Sequence, residues 1–230
     1  MNIAKILEEY NIECDSYKEE KLQGYMEKLL KWNESINLTA IKDEEEFVIK
    51  HYADSLAVLD LVEYEDAEKI IDLGTGGGFP GIPLAIFSPE KKFTLVDSLG
   101  KRLKVIDDIA GELGIKNIKT VHGRAEDLGQ DSKYREKFDL CVSRAVAELS
   151  TLCEYCLPFV KTEGYFIAYK SMEIREELEN AESAAELLGG ELEAVYETET
   201  DHSLVIIRKL MKTPKSYPRR AGTPSKKPLK

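Results

Sequence analysis

The stretch "DLGTGGGFPGIP", Asp72 to Pro83, follows an apolar run and carries five glycines in eight residues, from Gly74 to Gly81. Gly74, Gly76 and Gly78 loosely satisfy the opening of a G-x-G-x-x-G pattern, whose glycines permit tight turning and close backbone approach to a ligand. Alone, such a pattern also describes a flexible turn that holds nothing. Asp97 in "LVDS" lies 23 residues after Gly74, close to the ~20 expected for a carboxylate that accepts ribose hydroxyls. It would serve equally well as the N-cap of the helix that follows. Together the glycines and Asp97 favour ribose binding, but they do not separate a nicotinamide dinucleotide from S-adenosylmethionine.

Three further polar positions stand where strands should end. Glu126 in "HGRAEDL" can meet an adenine amino group or sit on a surface turn. Arg144 in "SRAVAEL" can grip a carboxylate or phosphate bidentately, or pair with a surface acid. Lys170, closing "GYFIAYK", can meet RNA phosphate or base, or remain a solvated edge lysine. No nucleophile–base pair is evident, and the three histidines are scattered. "CEYC", Cys153 to Cys156, has zinc-like spacing without a second pair nearby. A structural zinc needs four ligands, so these are expected to be reduced helix residues with no metal.

These residues need a scaffold of alternating strands and helices. "KIIDLG", "KFTLVDS", "IKTVHG", "FDLCVSR" and "GYFIAYK" read as strands separated by helical stretches. "LGKRLKVIDDIAGELG" is one such helix, with Leu103, Ile106, Ala110 and Leu113 on one face and Gly114 closing it. That order predicts βαβ units and a mostly parallel α/β sheet covered on both faces, with ligands beyond the carboxyl ends of the strands. "GELEAVYETETDHSLVIIRKL" gives two strands and no helix between them, hence an antiparallel pair at the far edge. Before the sheet, residues 1–65 read as a helical extension. It carries apolar stripes at Ile3, Ile6, Leu7, Tyr10 and at Leu22, Tyr25, Met26, Leu29, Leu30, then a helix from the N-cap Asp43 through "DEEEFVIKHYADSLAVLDLV". The division expected is 1–65, a ligand-binding domain over 66–210, and a tail over 211–230.

The net charge of −11 is unevenly spread. From Arg208 to Lys230 there are nine bases and no acid, which leaves 23 bases against 43 acids elsewhere. An acidic body repels RNA, and a basic tail is the place to meet phosphate. "KTPKSYPRRAGTPSKKPLK" holds four of the eight prolines and is expected to be extended and mobile unless bound. No apolar stretch approaches the ~20 residues of a membrane span, and no signal peptide is read at the N-terminus. The expectation is a cytoplasmic monomer without membrane contact.

"NLTAI", "KHYADSL", "DLGTGGGFPGIP", "VDSLGKR", "GRAE", "SRAVAEL" and "YPRRAGTPSKKPL" resemble, in that order, the small-subunit ribosomal RNA methyltransferase G family, also called glucose-inhibited division protein B. The resemblance implies a class I methyltransferase Rossmann-like fold. It also implies S-adenosylmethionine as cofactor and methylation of N7 of guanine 527 in 16S ribosomal RNA, free or in the small subunit. It places Gly74 and Phe79 at the cofactor's glycine loop, Ala125 and Glu126 at its adenine side, and Arg144 at its strand-four contact. Lys170 is followed by Ser171 where many relatives have glycine. Guanine N7 has an in-plane lone pair and no proton, so its attack on a methyl group needs no general base. Arg144 and Lys170 are then positioning candidates, and Asp72 is a candidate for stabilising charge on the base. Loss of residues 211–230 is expected to weaken RNA binding and to leave cofactor affinity nearly unchanged. A dehydrogenase is disfavoured by the antiparallel finish. A non-enzymatic RNA-binding module remains the third reading.

Overall fold

The computed structural model describes residues 1–144 and 146–229. Ala145, within "SRAVAEL", and Lys230, the last base of the tail, lie outside the described residues. Seven strands, β1 (Lys69–Leu73), β2 (Lys92–Asp97), β3 (Ile118–His122), β4 (Phe138–Arg144), β5 (Val160–Ser171), β6 (Gly190–Glu197) and β7 (His202–Lys209), form one sheet in the order β3-β2-β1-β4-β5-β7-β6. The pairings among β1 to β5 are parallel, and β7 runs antiparallel to both β5 and β6. The mostly parallel sheet with an antiparallel last strand is as the sequence periods predict. Strand order reverses between β1 and β4, which opens a crevice beyond their carboxyl ends.

Helices cover both faces. On one lie α1 (Ile3–Glu8) and α2 (Ser16–Asn33), followed by α3 (Glu44–Phe47), α4 (Asp54–Leu56) and α5 (Val62–Glu65), with α6 (Gly81–Phe87) and α7 (Gly100–Leu113). On the other lie α8 (Ala125–Leu128), α9 (Leu149–Cys156) and α10 (Arg175–Leu187). Asp15 caps α2 through the Lys18 N–H (2.9 Å), and Asp43 caps α3 through the Glu46 N–H (2.9 Å). Gly114 closes α7 in a left-handed conformation, as expected.

The helix expected from Asp43 onward is not continuous. Between α3 and α4 the chain takes a π-helical course over Val48–Ala53. Lys50 is exposed, but Tyr52, Ala53, Asp54, Ser55 and Leu56 are all buried, so where the segment runs into α4 the chain packs on all sides rather than along one stripe. A 3.6-residue apolar period cannot signal that arrangement.

The C-terminal tail is also unlike its expectation, because it lies docked along the α8–α9 side. Proline supplies no backbone N–H, and here many of the tail's carbonyls are met by donors from the body. Arg135 donates to the carbonyls of Thr213 (2.8 Å), Pro214 (3.2 Å) and Tyr217 (2.8 Å), and Gln130 to that of Pro218 (2.9 Å). A short helix, α11 (Thr223–Lys226), follows, with Pro224 buried.

Candidate active site at the strand ends

β1 ends in a turn at Gly74, whose φ of 77° favours glycine. A side chain there would also collide with Val146. Buried Asp72 clamps this turn to α6, its Oδ2 accepting from Thr75 Oγ1 (2.7 Å) and from the Gly81 N–H (2.8 Å). Its Oδ1 has no hydrogen-bond partner among the described residues, and burial pushes the carboxyl up to about 6 despite those hydrogen bonds. Fully enclosed, Asp72 holds the loop and faces no substrate base, which corrects its candidacy as a charge stabiliser.

At the end of β2, Asp97 receives the Gly76 N–H on Oδ2 (3.0 Å) and the Leu99 N–H on Oδ1 (2.8 Å). The glycine loop and the strand-two carboxylate are therefore locked together, and α7 takes no side-chain cap from Asp97. A cavity of about 180 Å³ opens between them, lined by Gly74, Asp97, Ser98, Ala125, Glu126 and Tyr155 among others. Pockets for drug-sized ligands begin near ~300 Å³, so the enclosed part suits one nucleoside rather than two. A larger hollow of about 670 Å³ sits at the opposite ends of the strands, around Lys69, Lys92 and Asn117. It lies away from every strand-end candidate, and in sheets of this kind ligands bind at the carboxyl ends.

The structure thus brings Gly74, Asp97, Ala125 and Glu126 to one cavity. It leaves Gly76, Gly78, Phe79, Arg144 and Lys170 outside the lining. Gly78 faces inward, where a Cβ would strike the Tyr25 hydroxyl and Ile82. Phe79 is buried among aromatic rings, stacked on His51 with centroids 4.3 Å and planes 7° apart. Lys170 donates to the Ala147 carbonyl (3.1 Å) and pairs with Glu177 (2.7 Å), fastening the loop beyond β4.

Arg144 belongs to a buried polar cluster that the sequence reading left unassigned. Its Nη1 donates to Asp54 Oδ2 (2.6 Å) and to the Lys50 carbonyl (3.0 Å), and its Nη2 lies 3.1 Å from His51 Nδ1. Because a guanidinium only donates, Nδ1 is the acceptor. His51 then carries its proton on Nε2 and gives it to Thr39 Oγ1 (2.7 Å). Burial, helped by the Arg144 charge, pushes His51 down to about 3, so the ring is neutral. Asp54 Oδ1 also accepts from Thr200 Oγ1 (2.9 Å) and His202 Nδ1 (2.7 Å). Burial alone would raise the Asp54 carboxyl, but the His202 hydrogen bond and the Arg144 charge hold it below its ordinary value. The motifs "NLTAI" and "KHYADSL" supply Thr39, His51 and Asp54, which is the signal that could have found this cluster.

The cavity's other wall comes from the tail. Gly222 and Ser225 line it, and the Gly222 N–H donates to Glu126 Oε1 (2.8 Å). The tail thus borders the cavity directly, where the sequence reading has the strand ends alone form it.

A model of the family described as rRNA small subunit methyltransferase G matches residues 18–206. The ribosomal RNA small subunit methyltransferase G of Clostridium novyi (strain NT) is 47% identical over 234 residues, covering 100% of this chain and 96% of that protein. Its counterpart from Thermoanaerobacter sp. (strain X514) is 50% identical over 226 residues, covering 96% of this chain and 94% of that protein. Among solved structures, a SAM-dependent methyltransferase from Aquifex aeolicus superposes with a TM-score of 0.56 at 18% identity, covering 73% of this chain and 94% of that one. The antibiotic-resistance methyltransferase Kmr gives 0.53 at 16%, covering 62% and 87%. At such identities the likeness is one of fold, the Rossmann-like sheet of class I methyltransferases.

Proposed function

This chain belongs to the rRNA small subunit methyltransferase G family, and we propose that it transfers a methyl group from S-adenosylmethionine to N7 of guanine 527 in 16S ribosomal RNA, acting as a monomer in the cytoplasm. The observation that carries this reading is the convergence of Gly74, Asp97 and Glu126 on one nucleoside-sized cavity. The residues present fit the cofactor. Asp97 is fixed at the end of β2 as an acceptor for ribose hydroxyls, and Glu126 is an acceptor for the adenine amino group. The turn at Gly74, with no room for a side chain, brings backbone close to the amino-acid end. When bound, S-adenosylmethionine supplies an electrophilic methyl group on a positively charged sulfur.

The chain's own work is positioning. Guanine N7 needs no base, and neutral His51 offers none, since both of its nitrogens are engaged. Aligning N7 with the methyl group at about 3–3.5 Å turns a two-body encounter into a one-body step. Arg144 is the last residue of β4, braced by Asp54 and His51. Among the described residues three of its five N–H groups are used, and Nε–H and one Nη2–H would serve a phosphate or a base edge. N7 is hidden in the deep, narrow groove of A-form RNA, so the target is a loop base or one drawn from its stack.

Incubation of the purified chain with methyl-labelled S-adenosylmethionine and small-subunit RNA tests this. Label at N7 of guanine 527, located by mass spectrometry of nuclease fragments, is expected. Label on another atom or base, or none on RNA or intact subunits, would overturn it.

A further inference from the structure

Beyond the carbonyls held by Arg135 and Gln130, the tail is fixed to the α8–α9 face by one ion pair with a buried carboxylate, Arg219 with Glu154. Glu154 of α9 is fully buried, and both of its oxygens are taken by one residue. Arg219 Nε lies 2.9 and 3.0 Å from Oε1 and Oε2, its Nη2 2.6 Å from Oε2, and its backbone N–H 2.7 Å from Oε1. Nη2 reaches on to the Lys227 carbonyl at 2.8 Å. One guanidinium thus closes a loop from residue 219 to residue 227 and fixes it to α9. Inside that loop are Gly222 and Ser225, which line the cavity, and the Gly222 N–H is 2.8 Å from Glu126 Oε1. Glu126 Oε2 has no hydrogen-bond partner among the described residues. One carboxylate oxygen is therefore held by the tail while the other is left to a ligand.

We propose that Arg219 is a positioning residue for the cofactor's adenine: by gripping Glu154 it seats residues 220–225, so that the Gly222 N–H orients Glu126. This inference rests on the reading of Glu126 as the adenine-side acceptor. Within the loop the backbone hydrogen bonds are local, from the Thr223 N–H to the Arg220 carbonyl and from the Lys227 N–H to the Thr223 carbonyl, and α11 is a single turn, so they shape the loop without fixing it to the body. Without the anchor, Glu126 loses one charge-assisted donor and turns freely.

The effect is read as base discrimination. A carboxylate accepts from the 6-amino group of adenine and repels the 6-oxo group of hypoxanthine. Titration calorimetry with S-adenosylhomocysteine and S-inosylhomocysteine measures that preference as a ratio of dissociation constants. In Arg219→Ala the ratio is expected to fall about ten-fold, the lower end of what a hydrogen bond to a charged group supports. Arg219→Lys, with one compact donor head, is expected to fall between. Because Arg219→Ala leaves Glu154 buried and unpaired, Arg219→Ala/Glu154→Gln is the companion variant. It should recover thermal stability and still show the reduced ratio. Glu126→Gln, which can donate to a 6-oxo group, should shift preference toward the inosyl ligand.

If Glu126→Gln leaves the ratio unchanged, the adenine-side reading fails, and this inference with it. If Glu126→Gln moves the ratio while both Arg219 variants weaken the two ligands equally, Arg219 is a structural anchor only and the inference alone fails.

Discussion

At the scale of single residues, Asp72 has the most distinctive consequence. Its carboxyl is pushed up from 3.8 to about 6 by burial. Between those values the folded chain keeps a proton that the unfolded chain has released. Stability therefore falls as pH rises through that window and stays lower above it. At 1.36 kcal/mol per pH unit, the full cost at pH 8 is about 3 kcal/mol. Asp72→Asn keeps an acceptor for Thr75 and Gly81 and carries no charge. It should melt several degrees above the parent at pH 8, with the gain gone at pH 4. Thermal scans across pH decide this, and a gain or loss that is the same at both ends would refute it. That Asp97 and Glu126 border the crevice was legible in the sequence, because residues that close a strand or follow its carboxyl end lie there wherever the sheet runs. The sequence could not place Asp72. Neighbouring strand residues face opposite sides, and only α6, packed against the turn, determines that Asp72 faces inward.

At the scale of elements, α2 supports the glycine loop directly. The buried Tyr25 hydroxyl donates to the Gly77 carbonyl at 2.8 Å, and the same ring stands edge-on to Phe79 with centroids 6.2 Å apart. Tyr25→Phe keeps the ring and strands that carbonyl. A loss of about 1 kcal/mol is expected, or ~2–4 °C for a chain of this size. A several-fold weaker affinity for S-adenosylhomocysteine should accompany it, because the loop that carries Gly74 is loosened. Unchanged calorimetric affinity would show that α2 supports only the fold. Strands and helices of the sheet were legible, because their apolar periods differ and each is buried on a defined side. The π course over Val48–Ala53 was not. It leads into five consecutive buried residues, Tyr52 to Leu56, which no one-sided apolar period describes, and it carries His51, beside Asp54, up to Arg144. Composition also misread the tail, since a proline-rich stretch looks free until donors such as Arg135 are found elsewhere in the chain.

At the scale of the whole molecule, the tail joins charge to chemistry. Of the nine bases from Arg208 onward, Lys209 is fully buried, Arg208 pairs with Glu163, and Arg219 with Glu154. Lys212, Lys215, Arg220, Lys226 and Lys227 stay exposed on an otherwise acidic chain. Three of these five, Arg220, Lys226 and Lys227, flank the Gly222–Ser225 wall of the cavity. RNA phosphate bound there would favour one arrangement of the same segment that lines the cavity. Two ligands that favour one arrangement of a shared element tighten each other by the same factor. S-adenosylhomocysteine should therefore bind several-fold more tightly in the presence of a small-subunit RNA fragment, and that fragment should gain equally from S-adenosylhomocysteine. A chain ending at Tyr217 should lose both gains and bind S-adenosylhomocysteine more weakly on its own. Of the five cations this removes, Arg220, Lys226 and Lys227 are the exposed ones among the described residues, so its RNA affinity should also fall less steeply with salt, by about 2 in log–log slope for these three at ~0.7 each on single strands. Calorimetry with and without RNA, at matched salt, separates the alternatives. If truncation lowers the salt slope but leaves cofactor affinity and its response to RNA untouched, then the tail binds phosphate and does not communicate with the pocket it borders.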